Sequence, residues 1–475
     1  MPGKEIVRPP RGRGKAGTRI AAAFVIALAL WGVCRGVVAA NRHQLPHPAR
    51  VLPAVDGRAT ASEHGFAAQD LLKLLSEGNA EGVTRDGTRI TLALDEDLQK
   101  TIFGLFRRFD PAYGVFAAME PSTGRVVALV GYRRGGEPDP RLPLKAVYPA
   151  ASLIKVVTAA AALEKGSILP EDEIAYRGGI YGITRKGIHA KDGRGVPSMS
   201  LEEAIARSAN AVFGKVAVNY VGSEGLSDYM EKFGFGQPVP FDLPVEPSQG
   251  EVPRDEFLLA RTGAGFGEVY VSPLHMAMIM SAIGNSGEMP QPVLIERVED
   301  KDGKPLFEAA PSKWRDTVHP ETADTLLRMM VKTIEMGTSR RTFGSPESTP
   351  LLQDMEVAGK TGSLSGWSPR MHFEWFAGVA PVGDPQLAVA ALVVNDSRWK
   401  IKGSYVGKEA FNTYFGYPGS TPPVYAKKRG KARGKATARK PERAKTRTKG
   451  KRIKKTVPSS SQQGFTAPRR NAPLG

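Results

Sequence analysis

The sequence predicts an α+β domain, a five-stranded antiparallel sheet flanked by helices, with a transmembrane helix before it and a disordered basic tail after it. Three observations carry this. Two apolar runs, 114–120 (GVFAAME) and 124–132 (GRVVALVGY), meet at the turn sequence Pro121-Ser122-Thr123-Gly124, a hairpin signal. Three more strand-like runs follow late in the chain, at 355–363, 373–380 and 387–395, and their connections suit antiparallel neighbours. Between the two groups lie helical stretches. The foremost is 148–166 (YPAASLIKVVTAAAALEKG), apolar on every side, as in a helix buried all round.

Taken in order, residues 1–19 hold six Lys/Arg and one Glu and form a short basic segment on the cytoplasmic side. Residues 20–40 (IAAAFVIALALWGVCRGVVAA) would span roughly 31 Å as a helix, about one hydrocarbon core. Arg35 and Trp31 suit the interface, and the basic flank predicts a signal-anchor with its N-terminus in the cytoplasm. The same residues also fit a cleaved signal peptide. Both readings place the rest of the chain outside the cytoplasm.

Residues 41–89 read as a proline-bearing linker or stalk, with a short helix at 66–75. A strand and an amphipathic helix follow within 88–109. Helices are expected at 201–220, 223–233, 272–283 (Ser272 as cap, Pro273 at the first position), 320–336 and 408–415. After 419 the composition turns basic and low in complexity; 426–455 holds sixteen Lys/Arg against one Glu. The net charge of +18 thus belongs to the two ends, and the body between them is near neutral. The single cysteine, Cys34, excludes an intrachain disulfide.

The chemistry starts in the helix at 148–166. Ser152 and Lys155 are three apart, so on a helix they share a face. A lysine in an apolar helix must find a partner or lose its proton. A neutral lysine beside a serine is a base beside a nucleophile. One SxxK arises by chance about once in a chain this long, so the pair informs only with partners. Two further elements supply them. Ser208-Ala209-Asn210 offers a hydroxyl for proton relay and a carboxamide for a substrate carbonyl. Lys360-Thr361-Gly362 offers a fixed cation, a hydroxyl for a carboxylate, and a glycine that lets another backbone come close.

SLIK, SAN and KTG, in this order, resemble the three motifs of the penicillin-binding transpeptidases and serine β-lactamases. The resemblance covers about 90–418 and includes LDEDLQ (94–99), EPSTGRVVALVG (120–131), YVSPLHMA (270–277) and WFAGVAP (375–381). These segments look most like the monofunctional, class B transpeptidases. No glycosyltransferase domain is read before them, and the non-catalytic segment is reduced to about 50 residues. The resemblance implies a peptidoglycan D,D-transpeptidase, inhibited by β-lactams, on the outer, periplasmic face of the cytoplasmic membrane. Ser152 would attack the penultimate D-Ala carbonyl of a stem peptide and Lys155 would take its proton. Ser208 would carry protons toward the leaving D-Ala, and Asn210 would hold the peptide. Lys360 and Thr361 would bind the terminal carboxylate. The backbone N–H groups of Ser152 and Ser363, the residue after Gly362, would receive the oxyanion. An amine of a second stem peptide would then take the acyl group. Burial and the charge of Lys360 should both push the Lys155 pKa below its usual 10.4 or so.

Other classes find less support. The seven histidines form no metal-binding cluster, and neither metal nor cofactor is expected. There is no GxSxG for a Ser-His-Asp triad. GAGFG at 263–267 has the wrong glycine spacing for a dinucleotide loop and reads as a structural turn. A D,D-carboxypeptidase or β-lactamase would share all three motifs, but the nearest approach to an ExxN glutamate, Glu246, lacks the Asn. A non-catalytic penicillin-binding scaffold is the other alternative. The basic tail suits anionic wall polymers or no specific ligand; nucleic acid is not expected outside the cytoplasm.

Overall fold

A computed structural model describes residues 66–420, apart from 192, 368–369 and 397–399. The 20–40 span, the basic N-terminal segment and the basic tail lie outside the described residues. Among those described, no helix is long and apolar enough to cross a membrane.

The central sheet is built from β1 (Tyr113–Met119), β2 (Val126–Arg133), β3 (Ala358–Trp367), β4 (Arg370–Ala380) and β5 (Leu387–Asn395). Their order is β3-β4-β5-β1-β2, and every neighbouring pair is antiparallel. Because side chains alternate along a strand, each strand serves two cores. Val115, Ala117, Trp375 and Leu392 face one core; Phe116, Phe376, Val389 and Val393 face the other. All nine residues of β5 are buried, as expected of a strand at the centre of a covered sheet.

The second core is closed by α1 (Glu96–Phe109), through Leu98, Ile102 and Phe106, together with a C-terminal helix that contributes Phe411. The first core is filled by α2 (Ile154–Glu164), α3 (Leu201–Arg207), α4 (Asn210–Val216), α5 (Pro273–Gly284) and α6 (Pro320–Glu335). The C-terminal helix is α7 (Gly403–Tyr414), which begins five residues before its expected start. The caps follow the sequence: Asp95 accepts from Leu98 N–H at 2.9 Å, and Ser272 accepts from His275 N–H at 3.1 Å.

Two expectations change. The stretch 148–166 is not one helix: Tyr148–Pro149 pairs as a strand with Tyr270 and Val271, a 3-10 turn covers Ala151–Leu153, and α2 starts at Ile154. The cause is Ala151, whose φ of +49° departs from the helical path. The helices expected within 201–220 part at Ser208, with φ +54°, between α3 and α4, where the Ser208-Ala209-Asn210 motif was expected between helical stretches. Residues 66–89, expected to end the stalk, fold onto the domain instead. The helix Ala68–Glu77 buries Leu71 and Leu75, and Gln99 ties it to the sheet by donating to Leu75 O at 2.9 Å and Leu129 O at 2.8 Å.

Candidate active site

Ser152 sits on the 3-10 turn just ahead of α2 and is partly exposed. The residue before it, Ala151, holds a left-handed conformation that costs a non-glycine residue about 1–2 kcal/mol. Gly265 lies against this peptide. It has φ +95°, and a Cβ there would stand 2.3 Å from Ala151 O and 2.8 Å from Ser152 N. The 263–267 segment is therefore more than a turn: it backs the Ala151–Ser152 peptide.

Lys155 lies in the first turn of α2 with no exposed surface. Its Nζ is 2.6 Å from Ser152 Oγ, 2.8 Å from Asn210 Oδ1 and 2.7 Å from Ala264 O. Burial holds its pKa well below the usual lysine range, and the nearby Lys360 lowers it further. A neutral amine has two N–H groups and one lone pair. Asn210 Oδ1 and Ala264 O carry no proton, so they take both N–H groups. The lone pair then faces Ser152, whose hydroxyl donates to it. That is the arrangement a general base needs before attack.

The second wall joins α3 to α4. Ser208 Oγ accepts from Lys360 Nζ at 2.9 Å. Asn210 Nδ2 donates to Tyr181 O at 3.2 Å, and Ala211 N–H donates to Ile180 O at 3.1 Å. These bonds strap the 178–182 loop to the site. Both ends of the Asn210 amide are thus engaged, so its first action is to orient Lys155. To hold a substrate carbonyl, its Nδ2 must exchange Tyr181 O for the ligand.

β3 is the third wall. Lys360 is fully buried, with its Nζ also donating to Thr361 O at 2.9 Å. Burial pulls its pKa down to about 7, so its charge is conditional rather than fixed as the sequence suggested. Thr361 Oγ1 is 2.6 Å from Thr338 Oγ1. A Cβ on Gly362 would meet Leu153 Cγ at 3.3 Å and Ala150 O at 3.4 Å, so the missing side chain lets β3 lie against the Ser152 turn. Trp375, opposite Gly362, donates from Nε1 to Pro149 O at 2.9 Å and locks the same contact. Ser363 is exposed, and its hydroxyl donates to Glu374 Oε2 at 3.2 Å.

The structure thus brings Ser152, Lys155 and Asn210 into direct contact, and Ser208 with Lys360. Gly362 packs on the nucleophile turn, while Thr361 and Ser363 follow along β3. Sequence reasoning missed Ala264, Gly265, Tyr181 and Thr338. The glycines at 263–267 were the only signal, because these contacts come from distant segments. Glu246 accepts from Ala146 N–H at 2.9 Å and makes no described contact with Ser152 or Lys155.

A serine with a buried lysine base, set between a helical bundle and the edge of an antiparallel sheet, defines a class of serine acyl-transferring domains. The chain belongs to the penicillin-binding transpeptidase family: residues 114–415 match the family described as "Penicillin binding protein transpeptidase domain". Among characterised proteins, it is similar to the peptidoglycan D,D-transpeptidase PbpA of Mycolicibacterium smegmatis, 29% identical over 317 residues, covering 60% of this chain and 62% of that protein. The PbpA of Mycobacterium tuberculosis is 28% identical, with 60% and 63% covered. The match therefore spans less than two thirds of these relatives' length. The fold resembles penicillin-binding protein A of M. tuberculosis, solved as a ceftriaxone acyl-enzyme complex (TM-score 0.55, 24% identity, covering 68% of this chain and 79% of that one). It also resembles penicillin-binding protein 2B of Streptococcus pneumoniae strain R6 (TM-score 0.58, 18% identity, 70% and 60% covered).

Proposed function

We propose that this chain is a serine-type peptidoglycan D,D-transpeptidase that cross-links stem peptides through an acyl-enzyme at Ser152 and is trapped there by β-lactams. The observation that carries the reading is the fully buried Lys155, held 2.6 Å from Ser152 Oγ with its pKa depressed.

Ser152 Oγ attacks the carbonyl carbon of the penultimate D-Ala while its proton passes to Lys155 Nζ. The oxyanion is received by the backbone N–H groups of Ser152 and Ser363. The C–N bond to the terminal D-Ala breaks, and that amine leaves with a proton delivered through Ser208. Lys360 and Thr361 hold the terminal carboxylate; a bound carboxylate favours the charged form of Lys360, so binding takes up a proton near neutral pH. Asn210 steadies Lys155 and the peptide. The amine of a second stem peptide then attacks the ester carbonyl, forms the cross-link and frees Ser152. The 20–40 segment would hold the domain outside the cytoplasmic membrane as a single span, and the tail would lie against anionic wall polymers.

The test is labelling with a fluorescent penicillin, wild type against Ser152→Ala, with the adduct followed in time. A label that needs Ser152 and persists for many minutes is expected. Rapid loss of the label in water would replace the transpeptidase with a hydrolase. Labelling that survives Ser152→Ala would remove the assignment of the nucleophile.

A further inference from the structure

Among the buried carboxyls that take no part in the proposed reaction, one lies beside the cleft. Glu374 on β4 is 5% exposed and stands directly opposite Ser363 in the strand register. Its Oε2 accepts the Ser363 hydroxyl at 3.2 Å, and Val393 of β5 lies on its other side. The start of α7 crosses behind it: a Cβ on Gly403 would stand 2.6 Å from Glu374 O. Among the described residues, the cation acting on this carboxyl is Lys402, just ahead of α7. His372, two residues earlier on the same face, has its Nδ1 2.8 Å from Ser365 Oγ. Burial pushes its pKa up to about 7, against the opposing effects of Lys402 and the Ser363 hydroxyl. The carboxyl therefore changes charge in the range where the enzyme works, one residue pair away from an expected oxyanion donor.

We propose that Glu374 is a positioning residue for the oxyanion side of the cleft: its carboxyl holds Ser363 with the backbone N–H directed at the Ser152 adduct, and when ionised it also sets a negative charge behind that N–H and opposes the oxyanion. This rests on the reading of Ser152 as nucleophile and Ser363 as oxyanion donor. The physical basis is that an oxyanion hole works through fixed dipoles in a poorly solvated site, where a nearby charge of the same sign is weakly screened. The sign follows directly. Below pH of about 7 Glu374 is neutral and acylation is favoured; above it the carboxylate accumulates and acylation falls, against the rise that deprotonation of Lys155 produces.

The experiment is the pH profile of the second-order rate of Ser152 acylation by fluorescent penicillin, pH 6 to 9, in the wild type, Glu374→Gln and Ser363→Ala. The amide keeps the shape and the acceptor for Ser363 but carries no charge at any of these pH values. The ratio of the Glu374→Gln rate to the wild-type rate should climb with pH, by about tenfold between pH 6 and pH 8 where the ionised form is inert. Ser363→Ala removes a bond that favours the carboxylate, so its alkaline fall should move to higher pH. A flat ratio overturns the inference, and so does a Ser363→Ala fall at the wild-type pH. Should Glu374→Gln not fold, Ser363→Ala decides alone. Wild-type protein that takes no label at Ser152 overturns the underlying site reading; labelled protein with a flat ratio overturns this inference only.

Discussion

Replacing Gly265 with alanine tests whether a remote glycine sets the position of the nucleophile. The added Cβ would stand 2.3 Å from Ala151 O, 2.4 Å from Ala151 C and 2.8 Å from Ser152 N. All three are backbone atoms, so no rotamer change relieves the clash. Ordinary contact begins near 3.4 Å, so the Ala151–Ser152 peptide must retreat by about 1 Å. A misplacement of that size in a reacting group costs about 100-fold in rate. Stability falls too. A non-glycine residue at φ +95° costs about 1–2 kcal/mol and overpacking about 1–3 kcal/mol, for a total of about 2–5 kcal/mol. The assay pairs the acylation rate with fluorescent penicillin against thermal unfolding of the same preparation. The expected result is a rate lower by about 100-fold in a protein that is still folded at 25 °C, with Tm reduced by roughly 5 °C. A folded variant acylated within about threefold of the wild-type rate would refute the reasoning, because Ser152 would then have reached its working position without the space Gly265 leaves.

Two further outcomes follow from the buried lysines. Lys360 has a folded pKa of about 7 against an ordinary lysine value near 10.5, so between these values the folded state binds fewer protons than the unfolded chain. Its burial costs most below pH 7, where both states hold the proton, and stability rises through the window above by up to about 1.4 kcal/mol per pH unit. In Lys360→Met this share of the slope disappears, so urea midpoints at pH 7 and pH 9 should lie closer together than in the wild type; equal gaps contradict the assignment. Asn210→Asp places a carboxylate 2.8 Å from Lys155 Nζ, which favours the ammonium form. The acid limb of the acylation profile should move up by more than about one pH unit, and an unmoved limb would remove Asn210 from the base's surroundings.

The motif residues were legible because each carries its chemistry locally: a serine one turn from a lysine, a strand with a lysine and a glycine. The five strands were legible as short, nearly continuous apolar runs set off by turn sequences, the pattern of strands buried on both faces. What the sequence hid was produced by distant approach. Nothing in the run Ala150-Ala151-Ser152 announces that Ala151 leaves the helical region; its conformation is held from residue 265, more than a hundred positions away. The gap between helical stretches at Ser208 was legible, but its left-handed φ and its bond from Lys360 were not. The 41–89 stretch read as a stalk from its prolines, yet the helix at 68–77 completes the core with Leu71 and Leu75, which only the packing shows. Lys360 showed the sharpest change: a lysine on a strand reads as a cation until its complete burial is seen.

The surroundings of Lys155 explain how one lysine can serve both before and after attack. In the neutral form, its two N–H groups go to Asn210 Oδ1 and Ala264 O and its lone pair accepts from Ser152. After proton transfer it has three N–H groups, and the same three oxygens are there to receive them. Only the direction of the Ser152 contact reverses; no acceptor has to arrive and none is left without a donor. Little reorganisation is then needed at the moment of reaction, which is the condition under which fixed polar groups lower a barrier. What the three oxygens do not supply is solvation of the added charge in a fully buried site beside Lys360. The ammonium form is therefore well bonded but electrostatically costly, and the proton is driven onward to the leaving amine. On the proposed mechanism, this gives a second lysine near the base a purpose. In the proposed reaction Lys360 would hold the substrate's carboxylate and, by the same charge, disfavour the protonated state of Lys155.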